Sequence, residues 1–96
     1  MNKADLEFIH EMVDQLDRSI AELTQKESII KAKVGDERIE ELTEYWQMLL
    51  DEDEDEAEEL KTTFDHWDRM LISTWAHLRR VHDTRAKAGQ AVMKNK

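Results

Sequence analysis

The sequence predicts an all-α fold in which an antiparallel helical hairpin and a third long helix form a three-helix, coiled-coil-like bundle. Three observations predict it: apolar residues recur at alternating steps of three and four, the 96 residues include no proline, and there are only two glycines. A chain of this length forms one domain with a thin core. We therefore expect one domain over residues 1–90, followed by a short basic flexible tail over residues 90–96.

The first helix is predicted over residues 3–34, where the apolar steps persist for more than four heptads with one interruption at Glu27. Its apolar positions are Leu6, Ile9, Val13, Leu16, Ile20, Leu23, Ile30 and Val34. Asn2 can cap the start, and Gly35 can occupy the position after the end. The tight turn at Gly35 and Asp36 requires the next helix to run antiparallel.

The second and third helices follow from the same spacing. The second is predicted over residues 36–50, with Ile39, Leu42, Trp46 and Leu49 on its apolar face. The third is predicted over residues 55–88, ending near Gly89, with Ala57, Leu60, Phe64, Trp67, Leu71 and Leu78 on its apolar face. Trp46 and Trp67 are therefore expected in the core.

Several apolar residues lie outside these faces, and the short second helix cannot cover the other two. They are Phe8, Met12, Met48, Leu50 and Ile72. We expect a homodimer, in which a second copy completes the core.

Composition and charge restrict the classes of function. The chain has no cysteine, which excludes disulfides and thiolate chemistry, and no apolar run approaches the length of a membrane span. Residues 79–96 carry six bases and one acid, a net charge of +5, so residues 1–78 carry −14 of the total −9. An acidic body repels nucleic acid and anionic lipid. We expect a cytoplasmic protein that binds neither nucleic acid directly nor membrane.

The segment DEDEDEAEE, residues 51–59, contains eight carboxylates and has three interpretations. It can be a solvated break that starts the third helix, with Asp55 as N-cap and Glu58 in the first turn. It can be a contact surface for a basic partner, because eight charges on a continuous helix would match the axial charge density of duplex DNA. A calcium loop is disfavoured, since Glu56 and Thr62 occupy the positions that require glycine and glutamate.

Metal and catalytic sites are also disfavoured. Glu7 and His10 have the spacing of a di-iron ligand pair but fall outside the apolar face, and His66, Met70 and His77 are typical of a helix surface. Ser19, Ser28 and Ser73 lie inside helices without a glycine-rich elbow. We expect no enzyme activity and no cofactor.

Glu27 interrupts the apolar face of the first helix. It is expected either to bond Thr43 or the Trp46 indole, with Lys31 or Lys26 as a second partner, or to meet water.

Protein binding is the function these observations favour: an adaptor, chaperone or inhibitor that uses an apolar helix face and an acidic surface. The alternative is a mimic of nucleic acid, for example phage-encoded, that occupies a basic groove. The contact residues expected for a partner surface are Ile72, Trp75 and Arg79, followed by Asp51, Glu52, Asp53, Glu54, Asp55 and Glu56; the alternative for Trp75 is a core or dimer contact.

Overall fold

The computed structural model of the chain describes residues 2–94, which form four α-helices and no strand. Helix α1 spans Lys3–Val34, α2 spans Asp36–Leu50, α3 spans Glu54–Lys61 and α4 spans His66–Lys94. The all-α class is therefore confirmed, and the first two helices have the bounds that the apolar spacing predicts.

The caps of the first hairpin also follow the sequence. The Asn2 side chain accepts a hydrogen bond from the backbone N–H of Asp5 at 2.9 Å, which caps α1. Gly35 separates α1 from α2 with φ +90°, a conformation that L side chains rarely adopt. A glycine is therefore required at this turn.

The single third helix predicted over residues 55–88 is wrong, because the segment is divided into α3 and α4 at residues 62–65. Thr62 and Thr63 turn their hydroxyls back to the carbonyls of Glu59 and Leu60, both at 2.7 Å. Asp65 and Asp68 then bond each other's backbone N–H at 2.9 and 3.0 Å, a reciprocal cap at the start of α4. These local bonds compete with helix continuation.

The far end of α4 also departs from the prediction. The helix passes through Gly89 and continues to Lys94, so residues 90–94 are helical and do not form the expected flexible tail. Residues 95–96, the rest of that predicted tail, lie outside the described residues.

Contacts within the chain group it into two compact units. The central unit is Lys26–Trp75, and the terminal unit combines Met1–Gln25 with Ala76–Lys96. One part of α1 and one part of α4 belong to the central unit, and the other part of each helix belongs to the terminal unit.

The central unit contains the main hydrophobic core. Tyr45 and Phe64 meet edge to face there, with ring centroids 4.8 Å apart. The buried residues of this core are Ile30, Leu42, Tyr45, Ala57, Phe64 and Leu71. Because residues from all four helices converge on it, this core holds the break between α3 and α4 in place.

Two expectations about the core need correction. Trp67 is 38% exposed and pairs with the His66 ring, because the break shifts the buried face of α4 to Asp68, Leu71 and Thr74. Glu27 is paired with Lys31 at 3.6 Å, the lysine expected only as its second partner, and none of the hydrogen bonds among residues 2–94 joins Glu27 to Thr43 or Trp46. Its other expected partner, Thr43, donates its hydroxyl to the Ile39 carbonyl on the same helix.

Candidate functional site

A groove of about 420 Å³ lies between α2 and α3 in the central unit. Met48 and Leu60 supply its apolar surface, and both pack against the buried core. Three exposed carboxylates line it as well, together with a threonine from the turn after α3. These polar residues are Glu44, Glu56, Glu59 and Thr63. The surface is thus apolar at its base and anionic at its edges, and we name it the acidic groove.

The charges of the acidic groove are not neutralised by the chain itself. Among the ion pairs of residues 2–94, none involves Glu44, Glu56 or Glu59. The base that follows in the same helix, Lys61, lies 4.0 Å from Glu58 instead. Unpaired carboxylates beside apolar surface produce a negative potential that attracts a cation carrying an aliphatic stem.

Arg38 holds one side of this groove in position. Its Nη2 donates to both the carbonyl and the hydroxyl oxygen of Thr63, each at 3.0 Å. The guanidinium lies 5.6 Å from the centroid of the Phe64 ring, which belongs to the core. The turn that carries Thr63 is therefore tied to α2 by hydrogen bonds as well as by packing.

The positive charge of Arg38 is satisfied by two carboxylates. Its Nε and Nη2 donate to one oxygen of Asp68 at 3.1 and 2.8 Å, and its Nη1 pairs with Glu41. Asp68 itself is buried. Because Asp68 and Glu41 already pair with Arg38, the arginine does not neutralise the carboxylates of the acidic groove.

Both partners of the Arg38–Asp68 pair, of which Asp68 is buried, remain charged near neutral pH. The hydrogen bond with Asp68 raises the pKa of Arg38, although burial acts in the opposite direction. Burial acts to raise the pKa of Asp68, but hydrogen bonds from Arg38 and from the Asp65 backbone outweigh it, so that pKa is lowered. The pair is a permanent structural element at physiological pH.

The acidic run begins with a turn and not with a helix. Asp51–Asp53 separate α2 from α3, and all six residues from Asp51 to Glu56 are exposed. The α3 N-cap is Asp53, two residues before the predicted Asp55, and its side chain makes no capping bond. The interpretation as a break and helix start is the one that matches this geometry. The eight carboxylates of residues 51–59 therefore do not lie on one continuous helix.

The turn is closed by an unusual residue. The N–H groups of Glu52 and Asp53 donate to the carbonyls of Leu49 and Met48 at 3.3 and 2.9 Å, the bonding pattern of a Schellman motif. Glu52 has φ +61°, in the left-handed region that such motifs normally assign to glycine. A glutamate at this position costs about 1–2 kcal/mol relative to an unstrained backbone.

The helical contact residues expected from the sequence are placed in different surroundings. Ile72 and Trp75 are half-buried and pack against the central core, and Trp75 meets Trp46 edge to face at 6.2 Å. Arg79 is exposed and belongs to the terminal unit. None of the three lines the acidic groove. Of the expected acidic contact residues, Asp51–Glu56, the groove includes Glu56.

The residues considered for metal binding are exposed and dispersed. Glu7, His10, His66 and His77 all lie at the surface of their helices. Within residues 2–94 no group of three histidine, aspartate or glutamate side chains is arranged to hold a metal ion. In the same range no helix combines the length and apolar character that would let it cross a membrane.

Most of the acidic groove does not follow from the apolar spacing of the sequence. Met48 was singled out only as an apolar residue without a partner, and Glu44, Glu59, Leu60 and Thr63 were not identified as a site. The segment TTFDHWD, residues 62–68, contains a signal for the turn after α3 that carries Thr63. Two threonines followed by aspartates three residues apart indicate the end of one helix and a capped start of the next.

Comparison of this chain with models of protein families, with curated proteins and with solved structures finds no match.

Proposed function

We propose that this protein is a non-enzymatic protein-binding module whose acidic groove accepts a basic, amphipathic segment of a partner protein. The observation that supports the proposal is the juxtaposition of Met48 and Leu60 with three unpaired carboxylates in one groove. Apolar side chains of the partner would cover the base, and its lysine or arginine side chains would meet the carboxylates.

The openness and chemistry of the groove favour a segment over a small metabolite. The groove is open, with a volume of about 420 Å³, and its described lining residues include no acid–base pair. Small-molecule sites are usually concave and enclose most of their ligand. An open apolar strip flanked by charge is the arrangement by which grooves bind amphipathic helices.

Nuclear magnetic resonance mapping tests this directly. An amphipathic helical peptide of leucine and lysine is added to ¹⁵N-labelled protein, and the amide shifts are followed. The largest changes are expected at Glu44, Met48, Glu56, Glu59 and Thr63. The matched control is a peptide of the same length in which glutamate replaces every lysine, and it should produce no saturable change. Saturable changes centred on other residues would contradict the proposal.

The runner-up function, a mimic of nucleic acid, depends on the acidic run acting as a charged surface. Six consecutive exposed acidic residues, Asp51–Glu56, support it, although the turn at Asp51–Asp53 removes the regular spacing that a continuous helix would give. Polylysine discriminates between the two functions because it has charge but no apolar face. A mimic should bind polylysine as tightly as the leucine–lysine peptide, whereas the acidic groove should prefer the peptide.

We also propose that the fold is completed by a second copy. Segments of all four helices form the core of the central unit, but the described residues of the terminal unit include a single buried apolar residue, Ala88. Thin helical units of this kind commonly gain their core by association. The functional particle is then a dimer that carries two acidic grooves.

A further inference from the structure

We propose that the terminal unit binds a second copy of this chain through the face of α1 that carries Phe8, so that two terminal units form a four-helix assembly. The inference deepens the two-copy proposal by naming the surface, and it is independent of what occupies the acidic groove.

Within the terminal unit, the two helical segments run antiparallel. Asp17 accepts a hydrogen bond from Arg85 Nε at 2.8 Å. Nearer the start of α1, His10 and Val13 line one groove with Gly89 and Val92. Residues later in α1 therefore contact residues earlier in α4.

This pairing leaves most of the apolar surface of α1 incompletely covered. The large apolar residues of the first helix within the terminal unit are all half-buried or exposed. They are Leu6, Phe8, Ile9, Met12, Val13, Leu16, Ile20 and Leu23. By contrast, Ile30 in the central part of the same helix is 2% exposed.

The strip of α1 that carries Phe8 is only partly covered, because Phe8 is exposed and Met12, Leu16 and Leu23 are half-buried. Phe8, Met12, Leu16 and Leu23 follow one another at steps of four and seven, so they share a face. At about 100° per residue, Phe8 lies roughly 140° around the helix from Val13, which lines the groove with α4. Phe8 is 67% exposed. An apolar stripe this wide exceeds what one neighbouring helix can cover.

Charge selects a second copy as the occupant of this strip. Residues 1–25 contain six acids and two bases, a net charge of −4, whereas residues 76–94 contain five bases and one acid, a net charge of +4. The net charges of the two segments are equal and opposite. The basic segment of α4 in a second copy therefore has the charge that complements the α1 strip.

The same charges specify the arrangement of the four helices. If α1 lay beside α1 of the other copy, two segments of charge −4 would face each other. If it lies beside α4 of the other copy, every neighbouring pair combines −4 with +4. Four-helix assemblies with alternating neighbours satisfy this condition, with the two α1 segments diagonal to each other.

Sedimentation equilibrium tests the proposal on the whole chain. The unaltered protein is expected to sediment at twice its chain mass of 11.4 kDa. Replacing Phe8→Ser should weaken the dimer about tenfold or more, as expected for removal of a central aromatic contact. Arg80→Glu places an acid at an exposed position in the basic segment. The dimer of this variant should become weaker as the salt concentration is lowered.

The matched control is Ile29→Ser. Ile29 is 58% exposed, belongs to the same helix and occupies the same heptad position three heptads later, but it lies in the central unit. It should leave the dimer unchanged. A monomer at all concentrations up to roughly 100 μM, or equal weakening by the two serine variants, would overturn the proposal. Circular dichroism of each variant confirms that the helices remain, and neither overturning result would affect peptide binding by the acidic groove.

Discussion

Arg38 and Asp68, thirty residues apart in the sequence, meet at 2.8 Å and join α2 to the first turn of α4. Asp68 is at once the ion-pair partner of Arg38 and the acceptor for the backbone N–H of Asp65. One carboxylate therefore both starts a helix and positions the turn that borders the acidic groove.

Removal of this carboxylate should destabilise the protein. Asp68→Ala leaves Arg38 without its buried partner and removes half of the α4 cap, so we expect a loss of about 2–4 kcal/mol in the free energy of unfolding. Urea denaturation followed by circular dichroism measures it. Asp83→Ala, at an exposed acid of the same helix, is the control and should change the value by less than about 0.5 kcal/mol. Equal losses in the free energy of unfolding for the two variants would show that the Arg38–Asp68 network does not stabilise the fold.

Asp68 should also contribute to the acid limit of stability. Its pKa is lowered in the folded state, so its contribution is fully present above the unfolded value of 3.8 and is lost as the pH falls through the lower folded value. The difference in unfolding free energy between the unaltered protein and Asp68→Asn should therefore be constant from pH 5 to 7 and shrink below about pH 4. A difference that grows on acidification would contradict the pairing with Arg38.

Glu52→Gly should stabilise the protein. Glycine removes the cost of the left-handed backbone at φ +61° but increases the entropy of the unfolded chain, so a net gain of about 0.5–1 kcal/mol is expected. The same change at Glu56, inside α3, has the opposite sign and should cost about 1 kcal/mol. Thermal unfolding of both variants provides the comparison. If Glu52→Gly destabilised as much as Glu56→Gly, the Schellman geometry of the turn would be wrong.

The two glycines should respond oppositely to alanine. Gly35 has φ +90°, so Gly35→Ala should cost about 1–2 kcal/mol although nothing lies within 4 Å of the added carbon. Gly89 is inside α4, where the added carbon meets only the Nη1 end of Arg85 at 2.9 Å. That side chain can shift, so Gly89→Ala should stabilise by up to about 1 kcal/mol. Chemical denaturation of the two variants measures both signs.

The sequence was sufficient to predict the elements whose signals are local. The apolar spacing of α1 and α2, the Asn2 cap and the turn at Gly35 all depend on residues that are neighbours in the chain, and the structure confirms them. The break between α3 and α4 was not predicted, because the apolar spacing continues across residues 62–65 as if one helix ran through them. The caps that decide it were overlooked.

The candidate site could not be predicted in the same way. The acidic groove requires Glu44 and Met48 to face Glu56 and Leu60 across two helices, and that juxtaposition depends on the angle set by the turn at Glu52. The Arg38–Asp68 pair also joins residues distant in the sequence. Spacing along one helix contains no information about either contact.

The central claim, that the acidic groove binds a basic amphipathic segment, is tested most directly by calorimetric titration with the leucine–lysine peptide. Glu56→Gln combined with Glu59→Gln should weaken binding about fivefold to tenfold, since two partly exposed charge contacts are lost. The control pair, Glu37→Gln with Glu40→Gln, changes the net charge equally on the exposed surface of α2 outside the groove. Unchanged affinity in the control supports the groove, whereas equal weakening by both pairs would mean that only net charge attracts the peptide and would contradict the claim.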